Sequence, residues 1–124
     1  MHIDHINISA PMTLLEKVRD FYCDVLGLSE GFRPEFSKNG FWLYADEKPI
    51  IHLSETHEHD EGDKQGYIDH FALQGVGVAS VIEKLEEAEI EYRTSYVAEI
   101  SLTQIFCKDP SGTGVELNFI NEPI

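Results

Sequence analysis

His5, His52, His70 and Glu116 are the residues of this 124-residue chain whose types and spacing could do chemistry together. They form two pairs. Ile3-Asp4-His5 recurs letter for letter as Ile68-Asp69-His70, 65 positions on. Ile51-His52-Leu53 corresponds in type to Val115-Glu116-Leu117, 64 positions on. His5 and His52 therefore stand 47 positions apart, and His70 and Glu116 stand 46 apart. A lone histidine in a strand is ordinarily a hydrogen-bonded residue with no further role. A glutamate inside Gly-Val-Glu-Leu-Asn-Phe is harder to dismiss, because burying an unpaired carboxylate is costly. Three imidazoles and a carboxylate suit one divalent ion of Fe, Mn, Ni, Co or Zn and lack the all-oxygen character that Ca²⁺ wants. His57 and His59 also have a ligand-like spacing, but they lie in an acidic stretch with nothing to fix them and read as solvated. His2 reads as a frayed terminal residue.

The elements that must position these residues repeat as well. Residues 3–9 read as a strand, rich in β-branched side chains. Leu14, Leu15, Val18, Phe21, Tyr22 and Val25 recur at helical spacing; Thr13 and Glu16 suggest a capping box, and Gly27 a stop. Three short strands are expected around 31–36, 41–45 and 50–54. Residues 55–65 contain no apolar side chain and read as a solvated linker. Beyond it come a strand at 67–73, a helical stripe of Val78, Val81, Ile82, Leu85 and Ala88, and strands at 91–97, 101–108 and 114–120. Asp109-Pro110-Ser111-Gly112 fits a type I turn. Each half is strand, helix, then three strands, in the α+β class. The expected organisation is one domain, 1–124, with module one at about 1–56, the linker at about 55–65 and module two at about 66–124. A strand residue points to one face only. Two modules brought face to face would converge the four candidates on one ion.

Bulk properties narrow the partners. Nine Lys plus Arg against 23 Asp plus Glu give a net charge of −14, which repels phosphate backbones and anionic lipid, so neither nucleic acid nor a membrane is an expected partner. No apolar run is long enough for a membrane span, and the N-terminus has no secretory pattern. Cys23 and Cys107 form no Cys-x-x-Cys motif and read as small buried hydrophobes in a reducing, cytoplasmic setting.

The chain resembles the vicinal oxygen chelate superfamily, which includes glyoxalase I, bleomycin-resistance proteins and extradiol dioxygenases. The resemblance covers nearly the whole chain. It rests on Ile3-Asp4-His5-Ile6-Asn7, on Phe21-Tyr22-Cys23-Asp24-Val25-Leu26-Gly27-Leu28, on Ile68-Asp69-His70-Phe71, and on Asp109-Pro110-Ser111-Gly112 leading to Val115-Glu116-Leu117-Asn118-Phe119. It implies two tandem βαβββ modules in curved mixed sheets around a shared metal cleft, often in a homodimer. The ion would be held by His5 and His70 from first strands and by His52 and Glu116 from last strands.

Four protein ligands on an octahedral ion leave two positions for a bidentate small molecule, as in glyoxalase I. Two His and one carboxylate leave three, enough for a catecholate and O₂, as in extradiol dioxygenases. The glyoxalase pattern more often carries a carboxylate where His52 stands, so this residue decides between the classes. The leading expectation is a lyase or isomerase working by metal-assisted proton transfer, with Glu116 as a ligand or base. The alternatives are a ring-cleaving dioxygenase using His5, His70 and Glu116, and a non-catalytic small-ligand-binding protein of the same fold. Candidate pocket residues are Trp42, Tyr44, Arg33, Arg93, Tyr96 and Gln104, whose ordinary reading is packing or surface.

Overall fold

Strict alternation of buried and half-buried residues in the last strands sets the architecture. In the run Ile51-His52-Leu53-Ser54, Ile51 and Leu53 are fully enclosed, while His52 and Ser54 face the other way. In the later run, Val115, Leu117 and Phe119 are buried, and Glu116 and Asn118 are turned out. One face of each sheet is therefore apolar and needs a helix over it. The opposite face is polar.

The computed structural model describes residues 1–63 and 66–124. Contacts divide the chain into two compact units, the first ending at Asp63. The first unit contains β1 (Ile6–Ala10), α1 (Met12–Asp20), β2 (Ser29–Gly31), β3 (Gly40–Ala45) and β4 (Lys48–Glu55). Its sheet runs β1-β4-β3-β2, with β1 and β4 parallel and the other pairs antiparallel. The second unit contains β5 (His70–Gln74), α2 (Val78–Glu87), β6 (Tyr92–Val97), β7 (Leu102–Lys108) and β8 (Gly114–Ile120). Its sheet runs β5-β8-β7-β6, again with only the first and last strands parallel. The fold is α+β, with two tandem βαβββ modules, each built on an open four-stranded mixed sheet.

In the first unit Leu14, Leu15 and Val18 of α1 are buried with Leu43, Ile51 and Leu53 of the sheet. The chain continues from α1 into one wider π-helical stretch, Phe21–Val25, which buries Phe21, Tyr22 and Val25. It ends at Gly27, whose φ of 81° lets the Leu28 N–H donate back to the Tyr22 carbonyl at 2.9 Å. Each such enclosed side chain stabilises the fold by roughly 1.5–3 kcal/mol.

Several local expectations shift. The Thr13–Glu16 capping box does not form. Pro11, with ψ of 148°, leads straight into the helix, so Thr13 lies inside the first turn and the Leu14 and Leu15 N–H groups bond to the Pro11 carbonyl at 3.0 Å. The strand expected over 31–36 is only Ser29–Gly31, followed by a loop that contains Pro34, which has no N–H for a ladder. The strand expected over 67–73 is His70–Gln74. The acidic linker is not all solvated: Thr56 is buried, its N–H bonded to the Ala10 carbonyl at 3.0 Å, and Lys17 Nζ donates to Glu61 at 2.9 Å. Its last two residues, Lys64 and Gln65, lie outside the described residues. The 109–112 turn forms as expected, with the Gly112 N–H on the Asp109 carbonyl at 2.9 Å. Among the described residues no helix is long and apolar enough to cross a membrane.

The start of α2 is capped from a distance. Gly77 (φ 84°) precedes the helix, and the Gly77 and Val78 N–H groups both donate to Glu122 Oε1 at 2.9 Å. The fully buried Thr103 hydroxyl anchors the same residue by donating to the Glu122 carbonyl at 2.7 Å. A carboxylate on the free N–H groups of a helix start satisfies orphan donors and complements the dipole.

Glu122→Ala is expected to lower unfolding stability by about 0.5–2 kcal/mol, the usual worth of a cap, read as a lower thermal midpoint. A second expectation concerns Cys107, whose thiol burial pushes up to about 11 from 9.0. The raised pKa means the stabilising contribution is full below pH 9.0 and fades as pH rises through about 11. A thiol reagent at neutral pH should label the half-buried Cys23 well before Cys107. Equal labelling rates in the folded protein would contradict the burial.

Candidate metal centre

The parallel pairing of first and last strands places each candidate pair. In the first unit Asn7 of β1 lies opposite His52 of β4; in the second, Ala72 of β5 lies opposite Glu116 of β8. His5 and His70 each sit two residues before that partner, so each pair occupies the same diagonal on the same polar face. His5 stands just ahead of β1 and His70 is the first residue of β5, so both flank the strand start and not its middle. Gly114 allows this approach in the second unit. A Cβ there would collide with the Asp69 carbonyl oxygen and stand 2.9 Å from the His70 Cβ.

In the first unit the pair is in direct contact. The His5 and His52 rings stack with centroids 3.7 Å apart and planes 11° apart, and Trp42 stacks on His52 at 4.1 Å and 12°. Trp42 is the cross-strand neighbour of His52 on β3. His52 Nε2 is buried without a hydrogen-bond partner. Desolvation first, and then the charge of His5, hold its pKa below 6.5, so the neutral ring with a bare lone pair is favoured. His5 Nδ1 lies 2.7 Å from Asp4 Oδ2, a bond that holds the Asp4 carboxyl below its ordinary value.

The second unit repeats this with different chemistry. His70 Nδ1 lies 2.8 Å from Asp69 Oδ2, matching the Asp4–His5 pair. The Glu116 carboxylate accepts from Gln104 Nε2 at 2.9 Å and from Asn118 Nδ2 at 3.2 Å, one amide on each oxygen. Phe106 is the cross-strand neighbour of Glu116, as Trp42 is of His52, and Arg93 lies 4.0 Å over its ring. A concavity of about 690 Å³ is lined by His70, Arg93, Phe106 and Gly114, with Lys108 and Asp69 among its other walls.

Of the pocket candidates, Trp42 and Gln104 touch the proposed ligands directly, and Arg33 shares a concavity with His52 and Trp42. Arg93 reaches this face through Phe106. Tyr44 spends its hydroxyl on the Phe32 carbonyl at 2.6 Å, and its ring covers Gly31. Tyr96 pairs with Thr103, whose side chain is buried on the helix side, so it is not brought to the polar face of Glu116. Sequence reasoning missed Asp4, Asp69 and Asn118. The two aspartates were visible inside the repeated Ile-Asp-His. Asn118 could have been found by strand periodicity, two residues after Glu116.

Among the described residues no group of three or more His, Cys, Asp or Glu side chains is gathered closely enough to hold an ion. In parallel stacked rings the in-plane lone pairs run side by side, so His5 and His52 must turn relative to one another to ligate one ion together. The donor chemistry nevertheless fits a divalent transition metal. His5 and His70 have Nδ1 engaged by a carboxylate, the usual outer partner of a ligating imidazole, which leaves Nε2 for the ion. The bare, buried Nε2 of His52 lacks the partner that such an atom needs.

The pKa of His52 gives a test. Because it is depressed on folding, the contribution is full above pH 6.5 and is lost as pH falls through the lower folded value. A proton-NMR titration of metal-free protein should place His52 below 6.5, and His52→Phe should reduce the loss of stability on the acid side. An ordinary midpoint would contradict the desolvated stack.

Solved structures share the fold across essentially the whole chain. A protein assigned to the glyoxalase family from Bacillus anthracis is 22% identical with a TM-score of 0.75, over 97% of this chain and 95% of that one. A glyoxalase/dioxygenase from Nostoc punctiforme is 18% identical with a TM-score of 0.75, covering 98% and 92%. A lactoylglutathione lyase from Agrobacterium tumefaciens is 20% identical with a TM-score of 0.66, covering 95% and 92%. No curated protein sequence matches the chain. The family model described as Glyoxalase/Bleomycin resistance protein/Dioxygenase superfamily matches residues 2–117, which include all four candidate ligands and both strand–helix–strand repeats. The chain belongs to the glyoxalase/bleomycin resistance/dioxygenase superfamily.

Proposed function

We propose that the protein is a divalent-metal-dependent enzyme, a glyoxalase-like lyase or isomerase that moves a proton on a small substrate offering two oxygens. The two units act as one domain, and the ligands are His5, His52, His70 and Glu116. The observation that carries this reading is His52, whose Nε2 is buried and bare on a ring held neutral. As a fourth ligand it leaves two positions of an octahedral ion for a chelating substrate. Fe, Mn, Ni, Co and Zn all suit the donor set. When bound, such an ion supplies Lewis-acid polarisation of a substrate carbonyl.

The chain's own residues supply the rest. Asp4 and Asp69 fix the tautomer and aim of His5 and His70. Gln104 and Asn118 fix the orientation of the Glu116 carboxylate by donating one N–H to each oxygen, and each oxygen keeps a further lone pair. Glu116 can therefore accept a proton while its orientation is held. The lactoylglutathione lyase that shares the fold is named for chemistry of this class.

One observation favours a second reading. The His5 and His52 rings lie nearly parallel with centroids 3.7 Å apart, so their in-plane lone pairs do not converge on one point. If His52 is only a packing partner, His5, His70 and Glu116 make the two-His-one-carboxylate set of an extradiol-type dioxygenase.

The deciding experiment is metal analysis of the purified protein and of His52→Ala, with NMR in D₂O to follow solvent exchange of the acidic proton of α-keto hemithioacetals and 2-hydroxyketones. Near-stoichiometric metal, exchange, and a loss of metal affinity of about 100-fold in the variant are expected. Undiminished metal binding in His52→Ala would replace this reading with the dioxygenase. Protein that takes up no metal would leave a non-catalytic ligand-binding role.

A further inference from the structure

We propose that the concavity beside His52 is a subsite for the carboxylate of a small planar, aromatic or conjugated monoanion. The concavity measures about 270 Å³, near the lower end of small-molecule pockets. Arg33, Lys38, Phe36, Trp42, His52 and Ser54 line it, together with Ser37. Two of its lining residues are cations and none is a carboxylate, although the chain carries 23 acids against nine Lys and Arg. In a protein of net charge −14 the general field repels anions, so an acid-free cationic recess is where one would be held.

Arg33 is held ready without being neutralised. One terminal nitrogen donates to the Lys38 carbonyl at 3.1 Å, and the guanidinium lies 4.9 Å over the Phe36 ring. Its Nε is buried without a partner, and none of the ion pairs among the described residues includes it. A guanidinium suits the planar fork of a carboxylate. Around it the walls are aromatic: Phe36 and Trp42 stand 6.1 Å apart at 38°, and Trp42 is stacked on His52. This inference names the substrate class for the site proposed above and rests on that reading only in assigning the recess to it. Anion binding itself depends on Arg33 and Lys38.

Trp42 is the chain's single tryptophan and reports the recess directly. The test is quenching of its fluorescence by benzoate, by the neutral isostere benzamide and by chloride, in protein as purified and after EDTA treatment. Saturable benzoate binding is expected in both preparations, with benzamide weaker by about tenfold or more, as for a lost charge-assisted hydrogen bond. Arg33→Gln should lose a similar factor. Lys38→Met keeps the backbone carbonyl that Arg33 uses and should weaken benzoate alone, so it decides the matter if Arg33→Gln misfolds by circular dichroism. Equal affinity for benzamide, a chloride response equal to that of benzoate, no saturable quenching, or unchanged benzoate affinity in Lys38→Met would each overturn the proposal. Benzoate binding that survives while metal analysis fails would sink only the enzymatic reading, and the converse only this one.

Discussion

The parallel pairing of the first and last strands is the constraint on which each unit depends. β1 and β4, and β5 and β8, are brought side by side by a chain that leaves the sheet through a helix and returns through two antiparallel strands. Parallel neighbours cannot be joined by a tight turn, so a crossover is required. That crossover supplies the helix that covers the apolar face. The same pairing places residues 46 or 47 positions apart on one diagonal of the opposite face. Covering one face and placing a candidate pair on the other are thus a single consequence of register.

The polar faces carry their cost in different ways. In the second unit a half-buried carboxylate is satisfied by two amides from its own sheet, one of them in the same strand, which is the ordinary solution for such a group. In the first unit stacking does the corresponding job. His52 is enclosed between His5 and Trp42, so the ring gains contact area while Nε2 goes without a partner. An orphaned nitrogen of this kind costs about 1–3 kcal/mol. A neutral imidazole lessens that cost relative to a charged one, which is the direction in which burial moves its pKa.

Aromatic groups flank the candidate pairs in the same way in both units. Trp42 faces His52 and Phe106 faces Glu116 at matching cross-strand positions, so the repeat extends beyond the candidate pairs to the rings beside them. An arginine lies over an aromatic ring near each, Arg33 over Phe36 and Arg93 over Phe106. Arg19 likewise lies 4.7 Å over the Phe41 ring. All three arginines are thus placed on π-faces, which keeps each guanidinium positioned by weak attraction to a ring.

The sequence by itself determined the repeat, the element order and the faces. Ile-Asp-His twice, with His52 and Glu116 near a common offset, identifies equivalent corners, and period-two alternation in residues 51–54 and 115–119 assigns them to the face away from the core. These are local properties, and local properties are legible in order along a chain. What only the tertiary structure decided depends on groups distant in sequence. Glu122 caps a helix that begins at Val78, Gln104 holds Glu116, and Trp42 closes over His52, each through strand register and loop path. The capping box that does not form at Thr13 and the short β2 have a local origin instead, since Pro11 and Pro34 act through what their neighbours can bond to. Hydrophobic period fixes which way a side chain points, but its partner is chosen by the chain segment that folds back beside it.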